Sequence, residues 1–412
     1  MRANRLVLLL LVLLFFGFTG SASGARERLT LTEALATALL DSGVQVATNV
    51  PATGVSEVFD AFHKKSGKRI IYSYNEEVAY TVAHGAALGG VRAAAILKSH
   101  GFAKAANSVI DSITAGTNAG FLVFVFNDKT GHNSDNAFDA LAFIKGTKIP
   151  FLHPQPGQYY PEIQRAFQMS EELQVPVAVF IESDDLPREV EIERKKAAVP
   201  LSEYKRDIYQ HLLCPFLAPY QQKLLEARLA KKALTMEKPK LPHIPEQLPP
   251  KYRAAAEKYV PVFAAFKKIK GEDAIVAGDT GTSALFAFPP YSSVDITTYY
   301  GGSVPLAIGF YMAGRNNVWA VTGDYAFLAA GNMGLIEAIQ RGIPLKILIF
   351  HNGVAGATGG QPILPGVFEN VLGGYRNNTS YILNPQDRGE AEKVLKKAKN
   401  SNRLEIIIVE VM

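Results

Sequence analysis

Cysteine is nearly absent from this sequence. The chain has 412 residues and a single cysteine, Cys214. One cysteine cannot form a disulfide within the chain, and it cannot supply the thiolates that hold an iron–sulfur cluster. The composition therefore excludes a disulfide-stabilised scaffold, and any iron–sulfur chemistry would need clusters carried by another polypeptide.

A strong charge of one sign is also missing. The formal net charge is +5, from 43 basic and 38 acidic residues. Basic runs such as 194–196 and 231–232 are not interleaved with aromatic residues, which predicts solvated helix surface and no nucleic-acid partner. With 48% hydrophobic and 20% charged residues, the chain has a globular composition and is long enough for two domains and a connector.

Long apolar runs are missing except at the N-terminus. Arg2 and Arg5 precede the leucine-rich run 6–18, and small residues follow at 20–24. The run is shorter than the roughly 20 residues that span a bilayer. This pattern predicts a signal peptide over residues 1–24 and an exported protein. An uncleaved membrane anchor is the alternative, and the protein would be cytoplasmic if the start site were misassigned upstream.

Strand and helix patterns alternate in two stretches of the chain. Short apolar strands that alternate with helices predict doubly wound parallel sheets. We therefore predict an α/β protein with domains over residues 29–190 and 271–412, joined by a helical and extended linker over residues 191–270. In the first domain the predicted strands are 44–49, 69–72, 93–97, 121–126 and 175–181, and the predicted helices are 54–65, 75–90, 103–115, 136–143 and 161–173.

Polar residues follow two consecutive strands in the second stretch. One predicted strand ends at Gly323-Asp324, and after a helix the next ends at His351-Asn352. The carboxyl ends of parallel strands are where open α/β sheets bind ligands. A carboxylate and an amide oxygen suit Mg²⁺, which takes oxygen ligands and usually shares them with phosphate. This segment therefore predicts a site for a metal ion and a diphosphate group.

The same segment resembles the signature of thiamine diphosphate-dependent enzymes, a Gly-Asp followed further along the chain by Asn. It is similar to the indolepyruvate ferredoxin oxidoreductase α-subunit group, whose version continues into a run matched here by residues 358–362. The resemblance implies that Asp324, Asn352 and the carbonyl of Val354 are Mg²⁺ ligands. It also implies that the domains are the pyrimidine-binding and diphosphate-binding domains of this fold. The further cofactor-binding residues that it implies are Gly278, Asp279, Thr280, Gly302, Ser303, Gly323, Tyr325 and Thr358.

The first domain carries a second motif of the same family. The run 72–79 follows a predicted strand, opens a helix and resembles the family's Asn-Glu-x-Val-Ala segment. The resemblance implies that Glu76 is the catalytic carboxylate, bonded to the cofactor's pyrimidine ring so that the ring can accept the thiazolium proton. His100 and His132 are candidates for proton transfer or for binding the substrate carboxylate. The candidate substrate residues, at the turn after the first predicted strand, are Pro51, Thr53 and Gly54.

The resemblance implies decarboxylation of a 2-oxo acid by a homodimer with thiamine diphosphate and Mg²⁺ as cofactors. Two outcomes stay open. Oxidation to an acyl-CoA would need a separate iron–sulfur or electron-carrier subunit, because the cysteine-rich tail of the group is not found here. Protonation to an aldehyde, as in phosphonopyruvate and sulfopyruvate decarboxylases, needs no redox centre. A third hypothesis is a non-catalytic, membrane-tethered binding protein, against which the presence of Glu76, Asp324 and Asn352 argues.

Overall fold

The computed structural model describes residues 26–200 and 202–411. The predicted signal peptide therefore lies outside the described residues. Within the described part, no helix combines the length and the apolar character needed to cross a membrane. The strands are β1 (Arg26–Thr30), β2 (Val46–Asn49), β3 (Ala93–Lys98), β4 (Phe121–Asn127), β5 (Phe151–Leu152), β6 (Val177–Glu182), β7 (Glu189–Glu193), β8 (Ile275–Asp279), β9 (Ile296–Thr298), β10 (Val318–Gly323), β11 (Lys346–His351), β12 (Val354–Ala355), β13 (Gln361–Pro362), β14 (Thr379–Ile382) and β15 (Glu405–Glu410). The α-helices are α1 (Leu31–Asp41), α2 (Val55–Ser66), α3 (Glu76–Leu88), α4 (Ser99–Lys104), α5 (Ala106–Ala115), α6 (Ala140–Thr147), α7 (Tyr159–Leu173), α8 (Ile208–His211), α9 (Ala218–Leu229), α10 (Pro250–Lys270), α11 (Ser303–Met312), α12 (Asp324–Ala326), α13 (Asn332–Arg341), α14 (Val367–Leu372) and α15 (Arg388–Lys399).

Two parallel sheets form the framework of the molecule. The N-terminal sheet has the strand order β2-β3-β4-β6-β5, and the C-terminal sheet has the order β14-β15-β11-β10-β8-β9. Every strand pair within these two sheets is parallel. The predicted α/β class with two parallel sheets is thus confirmed.

Each sheet is buried on both of its faces. In β10, Val318 and Ala320 pack into one hydrophobic cluster, whereas Trp319 and Val321 pack into another. Successive side chains of a strand point to opposite faces, so a strand covered on both sides must be apolar at every position. This requirement explains why the central strands are nearly continuous apolar runs in the sequence.

One predicted strand is wrong. Residues 69–72 contain isoleucine and tyrosine, which favour strands, but the segment pairs with no strand in the described part of the chain. Its partners are side chains of neighbouring helices. The Tyr72 hydroxyl donates to Asp60 Oδ1 at 2.8 Å, and the Gln340 side-chain amide donates to the Tyr72 carbonyl. Tertiary hydrogen bonds thus replace the sheet ladder that strand propensity favours.

A close helix contact joins the two domains. Helix α3 of the first domain packs against α11 of the second through two glycines. A Cβ atom at Gly85 would lie 2.2 Å from the carbonyl oxygen of Leu306, and one at Gly309 would lie 2.1 Å from that of Val82. Only glycine at both positions lets the two backbones come this close, so these residues set the contact between the domains.

The strand order of the C-terminal sheet reverses beside β8. Strand β8 pairs with β9 on one side and with β10 on the other. Chain segments therefore leave the carboxyl ends of β8 and β10 in different directions and leave a crevice between them, which is where open α/β sheets bind ligands. Thr280 follows β8 and Asp324 follows β10, so both predicted site residues lie at this crevice.

Candidate active site

A cleft opens at this reversal of strand order. It encloses about 440 Å³, part of which is open solvent. Predicted cofactor or metal residues that line it are Thr280, Gly323, Asp324, Tyr325, Asn352 and Val354. Among the described residues, no lysine or arginine lines it. A diphosphate in this cleft would therefore need a metal ion and backbone N–H groups to balance its charge.

Asp324 lies at the bottom of the cleft and is only 1% exposed. Its Oδ1 accepts the backbone N–H of Tyr325 at 2.7 Å, and its Oδ2 accepts those of Asn352 and Gly353 at 2.9 and 2.7 Å. Burial raises the pKa of this carboxyl group, and the N–H group of Gly353 opposes the shift. The loop after β11 is thus bonded to the residue after β10, which brings together two predicted ligands that are distant in sequence.

Asn352 and Val354 complete a set of oxygen donors. The Asn352 Oδ1 accepts the N–H of Val354 at 3.0 Å, so the side chain folds back over its own loop. In the described part of the chain, no group of three or more His, Cys, Asp or Glu side chains is placed to hold a metal ion. A metal at the cleft would therefore take one carboxylate together with amide, carbonyl and phosphate oxygens, which suits a hard cation.

Other predicted cofactor residues support the cleft without lining it. Asp279 is 1% exposed; its Oδ1 accepts the N–H of Ser303 at 2.7 Å, and its Oδ2 accepts the Thr322 hydroxyl. Burial raises the pKa of Asp279 to about 6. This carboxyl group connects β8, α11 and β10, while Thr358 is exposed and bonds to Gln361 at 3.1 Å. The residues predicted to bind cofactor that are not part of the cleft lining are Gly278, Asp279, Gly302, Ser303 and Thr358.

Glu76 begins α3 at the carboxyl edge of the N-terminal sheet. The helix is capped by Asn75, whose Oδ1 accepts the N–H of Val78 at 3.1 Å. Gly101 leaves room for the glutamate, because a Cβ atom there would lie 2.7 Å from Glu76 Cγ. Lys104 Nζ lies 2.8 Å from Glu76 Oε2, yet that buried oxygen has no hydrogen-bond donor among the described residues. The distance indicates an ion pair, so Lys104 competes for this oxygen with any other donor.

The two candidate histidines have different surroundings. His100 adjoins Gly101; its Nε2 lies 2.7 Å from Asn136 Oδ1, while its buried Nδ1 has no partner among the described residues. His132 is exposed, on the loop after β4. The structure therefore brings His100, but not His132, into the segment that packs against Glu76.

The predicted substrate residues lie on the loop after β2. Pro51 and Thr53 are exposed, and Gly54 precedes α2 with a φ of 82°. This loop, the start of α4 and the start of α3 all emerge at the same carboxyl edge. The predicted substrate residues and Glu76 thus lie at the same edge of the N-terminal sheet.

The two groups of predicted residues do not share one cleft within a chain. Among the described residues, none before Tyr259 lines the cleft at Asp324. Glu76 lies on the edge of one sheet and Asp324 on the edge of the other.

Sequence reasoning missed Tyr259. This residue is on α10, inside the segment that the sequence assigns to the linker, and it is 5% exposed. Its ring stacks on Phe350 at 4.2 Å, and its hydroxyl lies 3.5 Å from Asn352 Nδ2. A tyrosine in a lysine-rich helix carries no sequence signal, and only the packing of α10 on the C-terminal sheet brings it to the cleft.

Two protein families match the chain. Residues 40–224 match "Pyruvate flavodoxin/ferredoxin oxidoreductase, thiamine diP-bdg", and residues 279–407 match "Thiamine pyrophosphate enzyme, C-terminal TPP binding domain". A solved structure described as a thiamin diphosphate-dependent enzyme from Mycobacterium smegmatis is similar with a TM-score of 0.63 and 14% identity, over 93% of this chain and 99% of that one. This structural likeness shows the shared fold.

Three curated relatives give the comparison in sequence. The indolepyruvate oxidoreductase subunit IorA of Methanothermobacter marburgensis is 24% identical over 82% of this chain and 77% of its own length. The subunit of the same name from Thermococcus kodakarensis is 34% identical over 36% of this chain, and the match spans only 24% of that relative. The sulfopyruvate decarboxylase subunit alpha of Methanococcus maripaludis is 25% identical over 37% of this chain and 94% of its own length.

The two family matches fall on the two parallel-sheet domains, and the predicted resemblance is confirmed. The matched regions contain Glu76 in the first family and Asp324 with Asn352 in the second. The chain therefore combines the thiamine diphosphate-binding domains of these two families and is homologous to the indolepyruvate oxidoreductase subunits IorA.

Proposed function

We propose that this enzyme uses thiamine diphosphate and Mg²⁺ to decarboxylate a 2-oxo acid, as the catalytic subunit of an oxidoreductase with an external electron acceptor. The observation that carries the proposal is the cleft at the reversal of strand order, where the buried Asp324 is bonded to the loop of Asn352 and Val354. The similarity to the IorA subunits supports the oxidative form of the reaction.

The donor set fits a metal ion bound to a diphosphate. A carboxylate offers about four acceptor positions. Three are used by backbone N–H groups, and Oδ1 accepts only one of these. Asp324 Oδ1 thus retains an acceptor position for Mg²⁺, with the Asn352 amide and the Val354 carbonyl as the other protein ligands. Because no lysine or arginine of the described part of the chain lines the cleft, the metal would supply the charge that a diphosphate needs.

Glu76 fits the role of the catalytic carboxylate. Thiamine diphosphate supplies, when bound, a nucleophilic carbon and an electron sink for the loss of CO₂. The buried Oε2 of Glu76 forms no hydrogen bond in the described chain but has Lys104 Nζ 2.8 Å away, so a ring nitrogen of the cofactor would have to replace or share this lysine. Asn75 and Gly101 hold the glutamate in place, and His100 is the nearest candidate for moving a proton at the substrate.

We place the complete site between two copies of the chain. Glu76 and the Asp324 cleft lie on different sheet edges, and the described residues that line the cleft all follow residue 258. A symmetric homodimer would supply two such sites, each with the carboxylate of one copy and the metal of the other.

Non-oxidative release of an aldehyde is the second candidate function. Two observations favour it: the single cysteine, Cys214, which is buried, and the similarity to a sulfopyruvate decarboxylase subunit. Oxidation would depend on an iron–sulfur or electron-carrier subunit, whereas protonation would not.

Release of CO₂ by the full-length chain distinguishes these functions. The assay contains thiamine diphosphate, Mg²⁺ and a panel of 2-oxo acids that includes indolepyruvate and sulfopyruvate, with and without a one-electron acceptor plus coenzyme A. Release only with the acceptor supports the oxidoreductase, and release without it supports the decarboxylase. The enzyme proposal fails if Glu76→Gln releases as much CO₂ as wild type. It also fails if neither wild type nor Glu76→Gln releases CO₂ although the cofactor binds. Either result supports a non-catalytic binding role.

We also propose that residues 1–24 direct the chain to or across a membrane. The support is the basic start and the apolar run of the sequence. Fractionation of cells that express the full chain and a form without residues 1–24 tests this. Equal recovery of both forms from the cytosol would contradict it and favour a misassigned start.

A further inference from the structure

Three neighbouring strands of the C-terminal sheet carry an acid, a histidine and an acid at their carboxyl ends. Gly323 of β10 pairs with Phe350 of β11, and His351 of β11 pairs with Glu410 of β15. Asp324 comes directly after β10. The parallel register therefore places an aspartate, a histidine and a glutamate side by side along the carboxyl edge, with the histidine between the two acids.

Both ring nitrogens of His351 face a carboxylate. Its Nδ1 lies 2.9 Å from Glu410 Oε2, and its Nε2 lies 3.8 Å from Asp324 Oδ2. The ring also stacks on Phe368, with the centroids 4.6 Å apart and the planes at 22°. The residue is 8% exposed. The stack and the hydrogen bond to Glu410 together fix the plane and the rotation of the imidazole.

This arrangement constrains the metal ligand. Asp324 Oδ2 accepts two backbone N–H groups, and the imidazole approaches the same oxygen from the next strand. Rotation of the carboxylate would break these contacts, so Oδ1 stays directed to the side where a metal could bind. Partners that hold a ligating carboxylate in this way commonly change metal affinity when they are removed.

We propose that His351, held by Glu410, is a positioning residue that orients Asp324 for the metal ion. The inference rests on the proposed function, because it requires a metal at Asp324. The role goes beyond packing, because a residue that only filled the space beside Phe368 would not require the hydrogen bond between its ring and Glu410. Glu410 is the outer member of the row, with its side chain 22% exposed.

Affinity for Mg²⁺ tests the proposal directly. Mg²⁺ is titrated calorimetrically into the full-length protein in the presence of saturating thiamine diphosphate. The proteins compared are wild type, His351→Phe, Glu410→Ala, Glu410→Gln and the double variant His351→Phe/Glu410→Ala. Phenylalanine keeps the stack on Phe368 and removes both nitrogens. Glutamine keeps an acceptor for Nδ1 and should restore part of the affinity lost with alanine.

We expect roughly ten-fold weaker Mg²⁺ binding in His351→Phe and in Glu410→Ala, with the double variant no weaker than either, because the residues act as one unit. Glu405→Ala is the matched control: it removes the acid at the opposite end of β15, where Glu405 accepts the Ser401 hydroxyl at 2.6 Å. Its Mg²⁺ affinity should equal that of wild type.

Two results separate the inference from the proposed function. Wild-type Mg²⁺ affinity in His351→Phe, with wild type itself binding, overturns the inference and leaves the proposed function intact. Absence of Mg²⁺-dependent cofactor binding in wild type overturns both. If Glu410→Ala lowers the melting temperature, Glu410→Gln, which is nearly the same size, decides the question. A Mg²⁺ affinity above that of Glu410→Ala supports the hydrogen-bonding role, because glutamine keeps an acceptor for Nδ1, and a loss as large as that of alanine contradicts it.

Discussion

At the scale of single residues, the site is built on buried carboxyl groups whose partners are backbone N–H groups and hydroxyls. Asp279 and Asp324 are each 1% exposed, and neither forms an ion pair with a lysine or arginine in the described part of the chain. Burial disfavours the charged form of an acid, so the pKa of each is raised. Such groups keep their charge at a cost in stability, and a cation bound in the cleft would relieve this cost at Asp324, which lines it.

Asp279 should make the free enzyme less stable as the pH rises. Its pKa rises from an ordinary 3.8 to about 6 through burial, so between these values the folded state holds a proton that the unfolded state has lost. Stability then falls with increasing pH, by at most about 3 kcal/mol. Asp279→Asn removes this pH dependence and keeps the hydrogen bond from the Ser303 N–H, while the bond to Thr322 is reversed, with the new amide donating to the hydroxyl. Urea unfolding at pH 4 and pH 7.5 measures the free energy of unfolding. This energy should fall more between the two pH values in wild type than in Asp279→Asn, and equal falls would refute the assignment.

The hydroxyl of Tyr259 should contribute to metal binding. Tyr259→Phe keeps the stack on Phe350 but leaves Asn352 Nδ2 without its partner, so the amide can turn over. We expect several-fold weaker Mg²⁺ affinity and an unchanged melting temperature. The matched control is Tyr291→Phe, which alters a tyrosine that packs on Phe286 at 5.1 Å and does not line the cleft. An equal effect in both variants would point to a general packing change.

At the scale of elements, the contact between α3 and α11 fixes how the two sheets meet. The helix that begins at Glu76 passes Gly85 and then touches α11, which begins at Ser303 beside Asp279. The two helices that carry residues of the site at their N-termini are therefore packed backbone to backbone. A change in this contact would move both halves of the predicted site.

Gly309→Ala should destabilise the protein. The added Cβ would lie 2.1 Å from the carbonyl oxygen of Val82, and overpacking of this kind typically costs about 1–3 kcal/mol. The matched control is Gly146→Ala in α6, where a Cβ has nothing within 4 Å and alanine is the better helix former. Urea unfolding of both variants measures the difference; a neutral Gly309→Ala would mean that α3 and α11 separate easily.

At the scale of the whole molecule, the predicted site residues are divided between the two domains. In the proposed site, the N-terminal domain would contribute Glu76 and His100, and the C-terminal domain would contribute the cleft for the metal ion and the diphosphate. The described residues of one chain keep these groups on separate sheet edges. The proposed homodimer accounts for this separation, because each copy would complete the site of the other.

Complementation between inactive variants tests the shared site. Glu76→Gln and Asp324→Ala should each abolish CO₂ release. When the two variants are co-expressed and pair at random, half of the dimers are mixed and each mixed dimer has one intact site, so about a quarter of wild-type activity should return. No recovery, despite mixed dimers in native mass spectrometry, would place the complete site within one chain.

The sequence alone determined the class of fold, the family and the two motifs. Asp324 and Asn352 follow buried strands at the signature spacing, and Glu76 opens a helix after a capping asparagine, so local pattern was sufficient. Only the tertiary structure decided which of these residues share a cleft and what surrounds them. Tyr259 comes from a helix without a sequence signal, and His351 meets Glu410 through parallel register across strands 59 positions apart. Such contacts depend on long-range packing, which periodicity and propensity do not encode.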